Sequence, residues 1–84
     1  MNVLKDKTVL VTGGTGSFGG TFARFALSSG AENVRVLSRD EAKQDQMRQK
    51  VADDRLEFYI GDTRESDSVR RAVRGSHIIF HAAA

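Results

Sequence analysis

Short apolar runs alternate with longer mixed stretches along this chain. The first run, KTVLVTG at 7–13, is β-branched and closes on glycine, the pattern of a strand buried on both faces. Phe18, Phe22, Phe25 and Ala26 then recur at helical spacing, one apolar stripe of a helix that Gly30 ends. NVRVLS at 33–38 predicts a second strand. Ser38 and Glu41 form an S-x-x-E capping box, so the next helix starts near residue 39 and runs to about Val51. Its only apolar positions are Ala42, Met47 and Val51, which predicts a helix lying on the surface. RLEFYIGD at 55–62 is a third strand. ESDSVRRAVRG at 65–75 is a third helix, with Val69, Ala72 and Val73 on its buried side and Gly75 at its end. HIIFHAAA at 77–84 is a fourth strand.

Regular alternation of strand and helix predicts a parallel sheet with crossover helices. Right-handed crossovers and the usual doubly wound order give an α/β, Rossmann-like sheet of four strands in order 3-2-1-4 with three helices. The first two helices fall on one face and the third on the other. No repeat, linker or low-complexity segment interrupts the pattern, and there is no proline.

Composition narrows the classes of function. With 84 residues, 39% of them hydrophobic, the chain amounts to one small domain. A domain of this size buries only about 60% of its unfolded surface. The absence of cysteine excludes disulfides and thiolate metal sites. His77 and His81 bracket the strand run IIF, which argues against a helical metal pair. Apolar runs of three or four residues exclude a transmembrane helix and the apolar core of a signal peptide. The start, MNVLKDK, reads as that of a mature cytoplasmic protein. Thirteen Lys and Arg are interspersed with eleven Asp and Glu. The densest cluster, RRAVR at 70–74, lacks interleaved aromatics and reads as a solvated helix face, so no nucleic-acid partner is expected.

Five of the eight glycines fall between Gly13 and Gly20, after a predicted strand and before a predicted helix. Gly14-Thr15-Gly16-Ser17-Phe18-Gly19 satisfies G-x-G-x-x-G, and Gly13, Gly16 and Gly19 also satisfy G-x-x-G-x-x-G. One glycine makes the tight turn, one lets backbone N–H groups approach a pyrophosphate, and the last lets the helix pack on the sheet. The helix N-terminus adds donors and partial positive charge. A Walker P-loop is excluded, because no Gly-Lys-Ser or Gly-Lys-Thr follows. In this context the turn reads as a dinucleotide cradle.

The tip of the second strand selects the dinucleotide. A carboxylate there binds the ribose hydroxyls of NAD, and an arginine nearby accommodates the NADP phosphate. Here Ser38 ends the strand, Arg39 follows, and Lys43 stands one helical turn on. These side chains suit a phosphate and predict NADP. Asp40 offers the alternative of a ribose contact, although in a first helical turn it favours the helix dipole. Asp62 and Thr63 fall where an adenine edge lies in such a fold; either also serves as a cap for the third helix. The small residues of HAAA, including Ala82 and Ala83, let a nicotinamide ribose lie against the backbone, or simply pack a strand end.

TGGTGSFG, GDTRE and HAAA together resemble the extended short-chain dehydrogenase/reductases. LSRDEAKQDQMR is similar to one branch, the nucleotide-sugar dehydratases and epimerases of polysaccharide biosynthesis, typified by the inverting UDP-N-acetylglucosamine 4,6-dehydratases. The resemblance covers the whole chain. It implies NADP(H), with Arg39 and Lys43 on the phosphate, Asp62 and Thr63 at adenine, and Ala82 and Ala83 toward the nicotinamide. It implies a UDP-N-acetylglucosamine 4,6-dehydratase, which oxidises the sugar at C4 and loses water across C5 and C6, with a UDP-sugar 4-epimerase, which returns the hydride to C4, as the alternative. The family's Tyr-x-x-x-Lys is absent, since Tyr59 is followed four residues later by Thr63. The family also needs a second half-sheet and a sugar-binding region. Residues 1–84 are therefore expected to form the N-terminal part of an NADP-binding domain, inactive alone, with no second domain. The open HIIFH edge predicts self-association or marginal stability. A non-catalytic NADP-sensing module and a ligand-free scaffold are the competing readings.

Overall fold

Runs rich in β-branched, leucine and aromatic side chains form the four strands, because such side chains fit a pleated surface. The computed structural model describes residues 3–13 and 15–82. Its elements are β1 (Thr8–Thr12), α1 (Ser17–Ser28), β2 (Asn33–Ser38), α2 (Glu41–Val51), β3 (Leu56–Ile60), α3 (Ser66–Val73) and β4 (Ile78–His81). All strands are parallel in the order β3-β2-β1-β4, as the alternation predicts. β1 is central. Its Val9 lies opposite Val34 of β2 and Ile78 of β4.

Alternate residues of each strand serve two separate apolar layers. Val9, Val11, Val34 and Val36 pack against Ala23, Ala26 and Leu27 of α1 and Met47 of α2. Leu10 and Leu37 point the other way, onto Ala72 of α3. The helices thus divide two and one between the faces.

Three local expectations are corrected. The α1 stripe is only partly as expected: Ala26 is buried and Phe22 packs on the core, but Gly19, Ala23 and Leu27 complete the face on the sheet, whereas Phe18 and Phe25 are 68% and 54% exposed. Small residues let the helix lie close to the strands. The phenylalanines instead flank β4, where Phe22 stacks on Phe80 at 3.9 Å between centroids and Phe18 at 5.7 Å. The cap of α2 is Asp40, whose Oδ1 accepts from the Lys43 N–H at 3.0 Å, and not Ser38. Ser38 is still paired in β2, opposite Ile60. Its hydroxyl accepts from the Asp40 N–H. On α2, Ala42 is exposed, and the buried positions are Met47 and Gln44.

The predicted termini of the fourth strand run too long, since β4 ends at His81. Ala82 continues the ladder by one hydrogen bond, its N–H donating to Thr12 O. Gly14 and Ala83 lie outside the described residues. No helix among the described residues is long and apolar enough to cross a membrane.

Candidate functional site

The carboxyl ends of parallel strands are where a doubly wound sheet binds its ligands. Here those ends open on a groove of about 820 Å³. Its lining comes from three consecutive turns: Gly13 and Thr15 after β1, Ser38 to Glu41 after β2, and Gly61 to Arg64 after β3.

The turn after β1 is fixed from both sides. Gly13 has φ 69°, a left-handed conformation that a side chain resists. Its N–H donates to Leu37 O at 2.8 Å. Thr15 Oγ1 donates to Ser38 Oγ at 3.2 Å, joining the turn to the tip of β2. Gly16 is the N-cap of α1 and supplies no capping oxygen, and the first turn of α1 carries no acid. The leading N–H groups of Ser17, Phe18 and Gly19 therefore keep their capacity to bind an anion. The contrast with α2 is informative, because that helix caps itself with Asp40.

A buried glutamine that sequence reasoning missed braces the next two turns. Gln44 Nε2 donates to Tyr59 O at 3.0 Å and to Ser38 O at 3.4 Å. It ties the ends of β2 and β3 to α2, as a second donor to Ser38 O beside the Gly61 N–H. Nothing in a polar helix marks one glutamine as the buried one.

Arg39 and Asp62 meet across the groove, with Arg39 Nη1 3.6 Å from Asp62 Oδ2. Arg64 grips the same carboxylate, with Nη2 donating to Oδ2 at 2.7 Å and the backbone N–H to Oδ1 at 2.8 Å. The Arg64 side chain first, then its backbone N–H, with a smaller pull from Arg39, hold the Asp62 carboxyl down at about 2. Neither Asp62 nor Thr63 caps α3; that position belongs to Glu65, which makes no side-chain cap bond. Lys43 stands apart from Arg39. It lines a smaller recess of about 280 Å³ between α1 and α2, shared with Thr15, Gly16 and Ser17. Phe18 turns toward β4. Ala82 is half-buried beside the α1 layer.

A consequence for acid stability follows from two carboxylates. Asp53 is also lowered, chiefly by the Arg55 side chain and then its N–H. Both carboxyls sit below their ordinary 3.8 when folded, so the unfolded chain binds more protons in acid. Their contribution is complete above that value and is lost as pH falls through the lowered folded values, about 2 for Asp62. Melting temperature measured from about pH 5 to 2 is expected to fall less steeply in the Asp53→Asn/Asp62→Asn variant. Parallel slopes would contradict these pairings.

Fold and groove define a doubly wound α/β protein with an open crevice at the ends of β1, β2 and β3. Residues 9–84 match the family model described as polysaccharide biosynthesis protein, and the chain belongs to that family. It is similar to the UDP-glucose 4-epimerases of Rickettsia akari (strain Hartford), at 45% identity over 83 residues, and Rickettsia rickettsii (strain Sheila Smith), at 47%. Each match covers 94% of this chain and 24% of the relative. The X-ray structure of Pen from Bacillus thuringiensis superposes with TM-score 0.93 at 36% identity, over 98% of this chain and 25% of that one. An epimerase of Methanothermobacter thermautotrophicus superposes with TM-score 0.83 at 27% identity, over 99% of this chain and 24% of that one. The chain therefore spans about a quarter of the length of these relatives. The family is the nucleotide-sugar epimerase and dehydratase group that the glycine turn and the LSRDEAKQDQMR string resemble.

Proposed function

We propose that this chain is the cofactor-binding portion of a nucleotide-sugar-modifying enzyme that uses NADP(H). The observation that carries this reading is the glycine turn after β1 sharing one groove with Arg39: Gly13 and Thr15 line it opposite Arg39, and the turn leads into an α1 N-terminus without a side-chain cap. The amides of Ser17, Phe18 and Gly19 suit a pyrophosphate, and Gly16, whose N–H donates to Gly13 O, shapes the turn before them. Ser38 and Arg39 suit the 2′-phosphate, with Lys43 on the far side of the turn. Asp40 is engaged as a cap, which argues against its reading a ribose as an acid would for NAD. Gly13 and Gly61 keep the groove floor low, Asp62 and Thr63 border the adenine side, and the small side chain of Ala82 leaves room toward the nicotinamide.

Bound there, the cofactor would accept hydride from the sugar's C4 and hand it back. The names of the relatives support an epimerase, in which the hydride returns to C4. The LSRDEAKQDQMR string supports a second reading, a 4,6-dehydratase. The residues of this chain serve both outcomes alike, since they hold the cofactor and supply no Tyr-x-x-x-Lys pair. No turnover is expected from the 84 residues alone.

Calorimetric titration with NADPH and NADH tests the reading. NADPH is expected to bind more tightly, and Arg39→Ala to weaken it about 10- to 100-fold while changing NADH less than about 3-fold, because only the phosphate uses the guanidinium. Equal binding of both cofactors would overturn the NADP assignment. A folded chain that binds neither would overturn the dinucleotide reading.

A further inference from the structure

We infer that Arg64 is the second guanidinium of the phosphate-binding set, closing with Arg39 on one phosphate monoester across Asp62. This rests on the NADP reading and adds a specificity-determining residue to it. Two arginines from different strand ends converge on a single oxygen. Asp62 Oδ2 accepts from Arg64 Nη2 at 2.7 Å and lies 3.6 Å from Arg39 Nη1. Both guanidiniums line the groove, and both side chains are mostly exposed, at 77% and 70%. Asp62 is only 18% exposed.

The geometry leaves donors free for a ligand. Arg64 spends Nε and Nη2 on Asp62, which leaves Nη1 open. The Arg39 contact is too long for a good hydrogen bond, so its whole fork remains available. Asp62 thus acts as a resident anion that keeps two like charges together and aimed at one place. A phosphate monoester is tetrahedral and carries up to two charges, so it can take both forks at once. A ribose diol has nothing for the second. Lys43 lines a different recess, so within this groove Arg64 is the cation that accompanies Arg39.

Adenosine 2′,5′-bisphosphate and AMP separate the alternatives, because they differ only in the 2′-phosphate. Titrated into the chain, Arg64→Gln is expected to weaken the bisphosphate about 5- to 20-fold and AMP less than about 2-fold. Arg64→Lys should recover part of the loss, since charge returns without the fork. Equal weakening of both probes would mean that Arg64 only fixes Asp62, and would overturn the inference. So would an unchanged bisphosphate affinity in Arg64→Gln when Arg39→Ala has lost it. If the unaltered chain itself shows no preference for the bisphosphate, the NADP reading falls, a failure distinguishable from the other two. A melting curve for each variant confirms that it is folded; Arg64 is exposed enough for that to hold.

Discussion

Leu10→Ala is expected to remove a large part of the stability of this chain. Leu10 is fully buried in the central strand, and its neighbours across the α3 layer are few: Leu37, Ala72 and the partly buried Tyr59, Val69 and Val73. Ala72 cannot extend into the space vacated by an isopropyl group. β1 is held by hydrogen bonds to β2 on one side and β4 on the other, so the backbone cannot collapse into it either. Leucine-to-alanine changes at such positions cost about 2–5 kcal/mol, more where the site relaxes less. A domain of this length holds on the order of 4–13 kcal/mol in all. For domains of this size each kcal/mol moves the melting temperature by about 4–8 °C. A fall of at least about 10 °C is therefore expected in a circular-dichroism melt. A fall below about 3 °C would mean that the α3 layer is not a packed core.

The order of elements was legible because each strand is a dense apolar run and each helix ends at a glycine or a polar break. Both layers follow from alternate positions along β1 and β2. What failed was phase, not period. On α1 the expected stripe of Phe18, Phe22, Phe25 and Ala26 overlaps the buried one of Gly19, Ala23, Ala26 and Leu27 only at Ala26. Hydrophobicity favours the first, whereas the closeness of helix to sheet selects the second. The cap of α2 failed in a similar way, since Ser38 and Asp40 are both capping types. Only the register of β2 with β3 shows that Ser38 belongs to the strand.

Long polar side chains were the least legible part. Arg55 donates to Leu27 O and Ala31 O beyond the end of α1, while also gripping Asp53. Arg35 does the same for α3, donating to Ala72 O and Arg74 O. Each arginine sits on or beside a strand and satisfies carbonyls at a helix C-terminus, where a cation is also favoured by the dipole. Their partners are 24 to 39 residues away in sequence, so no local pattern announces them. The same holds for Gln44 and for the convergence of Arg39 and Arg64 on Asp62. The glycine turn and the tip of β2 were legible, because their chemistry lies within a few consecutive residues.

Gly61 joins the groove to the α3 layer, and its replacement should disturb both. Its N–H donates to Ser38 O, so its backbone is tied to the end of β2. A methyl group added there would stand 2.6 Å from both Cβ and Oγ of Ser68 and 3.3 Å from Leu37 Cδ1. Ser68 is buried in α3, and its Cβ is fixed to the helix backbone, so no rotamer change clears the contact. Either α3 lifts off the sheet or the turn leaves β2. Forcing extra volume into such a contact costs about 1–3 kcal/mol for alanine, and Gly61→Val should reach or pass the upper end. The melting temperature of Gly61→Ala is expected to fall by roughly 5–20 °C. Ser68→Gly removes the Cβ that Gly61→Ala strikes, so the double variant should regain stability relative to Gly61→Ala alone, although glycine itself costs about 1 kcal/mol within a helix. Strict additivity of the two changes would show that Gly61 and Ser68 do not touch. With the groove floor displaced in Gly61→Ala, affinity for AMP should fall together with stability and recover in the double variant, which ties the packing of α3 to the binding surface at the ends of β2 and β3.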